Sequence, residues 1–271
     1  MRICFFVSLI TFSINAHCVS LPTSTPVPGG VVVIPLLPID SPQPIAAFGS
    51  QRIMVVKDKR SWFGIVGISR NQIPGEYIVT TQHNKSLITS FNFRVHARRF
   101  DLPTQPNNKR PAAEMAEDER NRWNLEKQKL LEIMSNWTKK SSMDLILKYP
   151  VTGSLITRQG SCGFGVKTAL KIDGFSFAAA DGTNLRAPTA ATVVATGDFT
   201  VPGKTIVLDH GQGMFSMMCY LKDIVVKKGQ RVAKGVHLAN LGVTPRTAES
   251  KTDWIVMLNG SWVDPGIFIA K

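Results

Sequence analysis

Short runs of Val, Ile, Thr and Phe, separated by Gly, Asn and Pro, recur along most of this chain, and that pattern directs it toward a mainly β fold. Residues 53–56, 62–67, 76–80 and 87–95 read as strands, and their spacing predicts a small all-β sandwich within residues 21–105. Phe91, Phe93 and Val95 alternate with Asn92, Arg94 and His96, as a half-buried strand requires. In the apolar run Val31-Val32-Val33-Ile34-Pro35-Leu36-Leu37, Pro35 confines the segment to a sheet edge. A second set of strands is read at residues 192–195, 205–209, 214–221, 222–226 and 254–258. Asn259-Gly260 then predicts a two-residue hairpin turn into Trp262 and Val263.

One stretch between these sets changes period. Ala116, Trp123, Leu130 and Trp137 recur at intervals of seven, with Met134 between the last two. This predicts an amphipathic helix over about residues 111–140, with Pro111 in its first turn and its charged residues forming a solvated face. The helix belongs to a connecting segment, residues 106–145, and packs against a domain formed by residues 146–271.

The beginning of the chain sets the expected compartment. Arg2, a short apolar core over residues 3–14 and small residues around Ala16 to Ser20 follow the order of a secretory signal peptide, residues 1–20, too short to span a bilayer. The expected location is the periplasm or cell envelope, with no membrane-spanning segment after cleavage. The formal charge is +13, and removal of Arg2 leaves +12, spread over both halves of the chain. That distribution, without an Arg/aromatic cluster or a recognised motif, argues against a nucleic-acid-binding arm. Cys162 and Cys219 are the cysteines left after the leader. Export permits a bridge between them, and two buried thiols are the alternative.

Five motifs in the second half occur in the order found in one family. They are Pro150-Val151-x-Gly153, then Phe177-Ala178-Ala179-x-x-Gly182-Thr183-x-Leu185-Arg186-Ala187-Pro188, then Leu208-Asp209-His210-Gly211-Gln212-Gly213. Val226-x-x-Gly229-Gln230-x-Val232-x-x-Gly235 and Leu258-Asn259-Gly260-x-x-Val263-Asp264-Pro265 complete the series. Together they resemble the LytM/lysostaphin-type zinc metallopeptidases that cut peptidoglycan cross-links. The β region and helix before them resemble the N-terminal module of exported members. The resemblance implies a C-terminal antiparallel β-sheet with a substrate groove, of the duplicated hybrid motif kind.

In that family a His-x-x-x-Asp pair and the second histidine of a His-x-His hold zinc, while two further histidines assist catalysis. Three protein ligands leave an open position for a water whose pKa falls to about 7. The resemblance puts the zinc-ligand positions on Ile172, Ser176 and Asp253, and the catalytic-histidine positions on Tyr220 and Lys251. All five are altered, so the expectation is a chain without zinc and without a catalytic residue, a pseudoenzyme. Ile172 offers no donor, and Lys251 would oppose a cation. Asp173, next to Ile172, should face the other side of its strand, which argues against a carboxylate pair with Asp253. His83, His96, His210 and His237 are read as structural or surface residues, and Ser176 has no base beside it.

Two functions follow from the resemblance. One is a non-catalytic module that binds peptidoglycan or regulates a cell-wall amidase, using a groove lined by Ile172, Tyr220, Lys251 and Asp253. The other is a peptidoglycan metalloendopeptidase with a rearranged site.

Overall fold

The computed structural model describes residues 20–38, 40–58, 61–83, 87–98, 115–139, 144–164, 172–247 and 249–270. The leader and the predicted start of the helix at Pro111 lie outside the described residues. No helix among the described residues is long and apolar enough to cross a membrane.

The first half forms β1 (Val31–Pro38), β2 (Ile45–Phe48), β3 (Gln51–Arg52), β4 (Met54–Lys57), β5 (Ser61–Gly67), β6 (Gly75–His83) and β7 (Leu87–Val95). They make two sheets, ordered β1-β5-β4 and β3-β2-β6-β7. Ala46, Val79 and Val95 of the larger sheet pack against Val32, Ile34, Leu36, Val55 and Val66 of the smaller, which is the predicted sandwich. β1 is an edge strand, and its register shifts between Pro35 and Leu37, where the missing N–H of proline interrupts the ladder.

The three-stranded sheet has a second apolar face. Val31, Met54, Val56 and Ile65 point away from the sandwich into a core shared with the C-terminal half. A sheet covered on both sides needs apolar residues at successive positions, and this accounts for the unbroken Val31-Val32-Val33-Ile34 run.

The second half contains the helix α1 (Glu117–Ser135), then β8 (Ser154–Gly160), β9 (Gly174–Ala178), β10 (Asn184–Arg186), β11 (Ala191–Phe199), β12 (Gly203–Gly211), β13 (Met214–Leu221), β14 (Asp223–Ile224), β15 (Arg231–Val232), β16 (His237–Asn240), β17 (Lys251–Leu258) and β18 (Ser261–Val263). An eight-stranded sheet runs β15-β11-β12-β13-β17-β9-β8, with β18 paired to β17, and β10-β16-β14 form a smaller one. Every residue of β13 is buried. Met214 and Met218 enter the shared core, whereas Phe215, Met217 and Cys219 enter a second core on the opposite face.

Trp123, Leu130 and Met134 of α1 cover that second core, as their helical spacing predicts. The helix is shorter than its sequence pattern suggests. It stops at Ser135, and Asn136 is already extended, so Trp137 lies beyond it. Tertiary bonds favour the extended chain there. Gln212 N donates to Thr138 O at 2.7 Å, Thr138 Oγ1 donates to Asp209 Oδ2 at 2.8 Å, and the Trp137 ring stacks under the Arg52 guanidinium at 4.6 Å.

The Asn259-Gly260 hairpin forms between β17 and β18, with φ of 41° and 75° at the two residues, as a type I′ turn demands. Its side chain has a second task. Gly67 N donates to Asn259 Oδ1 at 2.8 Å, and Asn259 Nδ2 donates to Gly67 O at 3.3 Å, so the turn is tied to β5.

Candidate functional site

Strand register brings three of the five altered positions to one place. Asp253 of β17 lies opposite Ser176 of β9 on one side and Cys219 of β13 on the other, and Lys251 lies opposite Ala178. Side chains alternate along a strand, so Lys251 and Asp253 share a face. Tyr220 joins them through a bulge. It has φ of 62°, its N–H bonds Pro202 O at 2.9 Å, and the β12–β13 register shifts there. The irregularity lets successive residues, Cys219 and Tyr220, enter the same core.

Asp253 is 1% exposed, and both of its oxygens are engaged. Ser176 Oγ donates to Oδ1 at 2.6 Å. Oδ2 accepts from Ser161 N at 2.9 Å and from Cys162 N at 3.2 Å. Cys162 takes up a left-handed conformation, φ 47°, to present that N–H. Its side chain is bridged to Cys219, with a Cα–Cα separation of 5.7 Å, and this resolves the two alternatives for these cysteines in favour of the disulfide. A loop and two strands are thus held together at one buried carboxylate.

Ile172 is buried in the apolar core that also contains Phe164, Met217 and Tyr220. Burial pushes the Tyr220 phenol well above its ordinary range, the nearby Asp253 charge pushes it further, and Arg246 opposes both. Of the candidate groove residues, only Lys251 retains appreciable solvent contact.

These residues do not fit a zinc ion. Ile172 has no lone pair, the Ser176 hydroxyl is directed at Asp253, and the Asp253 oxygens already accept three bonds. Among the described residues, no three or more His, Cys, Asp and Glu side chains form a group able to hold a metal. His210 is 1% exposed and bonds Ser216 Oγ at 2.8 Å through Nε2, while Trp254 Nε1 donates to the same hydroxyl at 3.3 Å. His237 Nε2 lies 3.0 Å from Ala239 O and 2.9 Å from Asn240 Oδ1, within its own hairpin. His96 is exposed.

Asp173 has a role that sequence reading missed. It is buried and pairs with Arg70 and with Arg98, the latter at 3.1 Å, both from the N-terminal half. Burial raises the Asp173 pKa and lowers that of Arg70, while their mutual attraction acts in the opposite sense on each. An acidic residue between Ile172 and Gly174 was the available signal, but nothing local names two arginines so distant in sequence.

Comparison with known proteins places this arrangement. Residues 171–265 match Peptidase family M23, and residues 24–98 match the Peptidase family M23 N-terminal domain. A Pseudomonas aeruginosa structure assigned to peptidase M23 is 30% identical, covers 91% of this chain and 96% of its own, and superposes with a TM-score of 0.75. A zinc containing peptidase from Vibrio cholerae is 21% identical over 48% of this chain and 41% of its own, with a TM-score of 0.40. The catalytic domain of lysostaphin from Staphylococcus simulans is also 21% identical, over 43% of this chain and 91% of its own, with a TM-score of 0.38. A comparison with curated proteins returned no match. From its N-terminal sandwich to its C-terminal hairpin, the chain belongs to peptidase family M23.

Proposed function

We propose that this chain is an exported family member that no longer hydrolyses peptide bonds and acts at the cell wall by binding, either to peptidoglycan or to a cell-wall amidase. The observation that carries the reading is the engagement of Asp253. Its carboxylate is enclosed by the Ser176 hydroxyl and by the N–H groups of Ser161 and Cys162, where a peptidase needs an open metal position for water. A bridge from Cys162 to Cys219 closes the same loop over it.

The burial of Ile172, Tyr220 and Asp253 moves recognition away from the centre of the former groove. Lys251 is the residue of that set still available to pair with a carboxylate, as a point charge on a flexible stem. The basic balance of the chain favours encounter with a carboxylate-rich polymer, and that attraction weakens as salt rises.

Elemental analysis of the purified protein, with digestion of peptidoglycan sacculi, tests the loss of activity. The expected results are zinc well below one per chain and no released muropeptides. Near-stoichiometric zinc that disappears in Asp253→Ala would overturn the reading. Co-sedimentation with sacculi and capture of purified amidases at low salt test the two partners. Retention of neither, with no change in Lys251→Glu, would end the binding role.

A further inference from the structure

A strand at the edge of a sheet offers unpaired backbone groups to any other strand, and folded chains blunt such edges with proline, bulges, short strands or covering side chains. β1 carries Pro35 and a register shift, and β8 carries two register shifts. Val55 of the edge strand β4 donates to Gln212 Oε1 at 3.0 Å and accepts from Gln43 Nε2 at 3.1 Å. β3, β10, β14, β15 and β18 are two or three residues long. Among the described strands β7 is the exception. It has nine residues at the end of its sheet, no proline, and a pairing with β6 that runs without a register shift.

Alternation along the strand fixes where its backbone groups point. Thr81 Oγ1 donates to Thr89 O at 3.3 Å, so Thr89 turns its carbonyl toward β6. His96 N, just beyond the strand, donates to Pro26 O at 2.8 Å, outside the pairing with β6. The odd-numbered residues therefore bond to β6. The N–H and C=O groups of Ile88, Ser90, Asn92 and Arg94 point off the edge, where no described strand meets them. The side chains of these four are exposed, Ile88 by 70%. On the other face Phe91 and Phe93 pack against the sandwich core but stay half-buried at its margin.

Charge indicates what covers this edge. The chain carries +13, yet β2, β6 and β7 together hold a single carboxylate and a single guanidinium, Glu76 and Arg94, 3.6 Å apart. An acidic polymer is drawn to the basic faces, whereas a second copy, repelled there, meets no net charge at this one. We propose that β7 pairs antiparallel with β7 of a second copy, about a two-fold axis at Phe91, to give a dimer with one continuous sheet of eight strands. In that register Ser90 faces the partner's Asn92 and Ile88 faces the partner's Arg94, so all four free N–H and all four free C=O groups of each strand are bonded. Phe91 meets its counterpart across the axis as a cross-strand aromatic pair, and the Arg94 stem covers the exposed isoleucine. The two Arg94 charges stand about 20 Å apart, whereas parallel, in-register pairing would set them side by side. With the other edges blunted, the contact is isologous and closes at two copies. The dimer is independent of the loss of the zinc site.

Sedimentation equilibrium of the purified protein, with two pairs of surface substitutions, tests it. The wild type should dimerise with a dissociation constant on the order of 10 µM, as a small interface allows, and should tighten as salt screens the repulsion between two basic copies. Ser90→Lys with Asn92→Lys sets lysine against lysine twice across the axis and should weaken the dimer about tenfold or more. Ser90→Glu with Asn92→Lys sets glutamate against lysine at both places and should restore it to within about threefold of the wild type. These side chains are exposed, an unchanged melting temperature would confirm that the variants fold, and recovery by the glutamate pair cannot arise from misfolding. A wild type still monomeric at about 1 mM, growth beyond a dimer, or equal effects of the two pairs would overturn the proposal.

Discussion

Ser176 and Asp253 stand opposite each other on β9 and β17, and the serine hydroxyl donates to the carboxylate at 2.6 Å. Two positions that the resemblance assigns to zinc ligands therefore bond to each other. A buried carboxylate is tolerated only when its lone pairs are occupied, and here backbone N–H groups complete the set. Ser176→Ala should lower stability by about 1.5–3 kcal/mol, the usual range for a hydrogen bond to a charged group. Chemical denaturation would measure it, and no loss would mean that the hydroxyl is replaceable.

The disulfide is the second element of this joint. Cys162 and Cys219 are separated by 57 residues, so the bridge restricts a long loop in the unfolded chain. Replacing both by serine should cost about 2–5 kcal/mol. Both are fully buried, so the reduced wild-type thiols should resist alkylation until denaturant is added. Mass spectrometry after reduction and labelling would check this.

Asn259 joins the C-terminal hairpin to β5 through two hydrogen bonds to Gly67 and holds a φ of 41°. Asn259→Ala should cost about 2–4 kcal/mol, from the buried N–H and C=O left on Gly67 and from the left-handed backbone. Asn259→Gly should keep the turn and lose only the bonds. The two variants, compared by thermal melting, separate conformation from contact.

Asp173 provides a pH test. Burial raises its pKa in the folded protein above the ordinary 3.8, so between these values the native state holds more protons than the unfolded chain. Its contribution to stability is then fully present below 3.8 and declines as pH rises through the raised folded value. Asp173→Asn should remove this slope. At neutral pH the same change should not destabilise the protein through loss of the pair with Arg70, because a raised pKa means that the folded site, Arg70 included, holds the neutral form better than the carboxylate. Urea midpoints across pH 3 to 7, roughly spanning the carboxylate range, would show a parallel profile for both proteins if the effect were absent.

The strands read at residues 53–56, 62–67, 76–80, 87–95, 192–195, 205–209, 214–221 and 254–258, the Asn259-Gly260 turn and the helix face carrying Trp123, Leu130 and Met134 were legible in the sequence because each rests on local chemistry: a period of two, a pair of residues tolerant of positive φ, or a period near 3.6. That Ile172 offers no donor atom was legible from the residue alone, since isoleucine lacks a lone pair in any fold. Contacts between distant residues were decided by tertiary structure alone. No local pattern shows that β1, β4 and β5 form a middle layer, that α1 ends before Trp137, or that Asp173 pairs with Arg70 and Arg98. Nor could it show the N–H groups of Ser161 and Cys162 closing on Asp253, because backbone donors exist at almost every residue and only the folded chain decides which of them meet a buried charge.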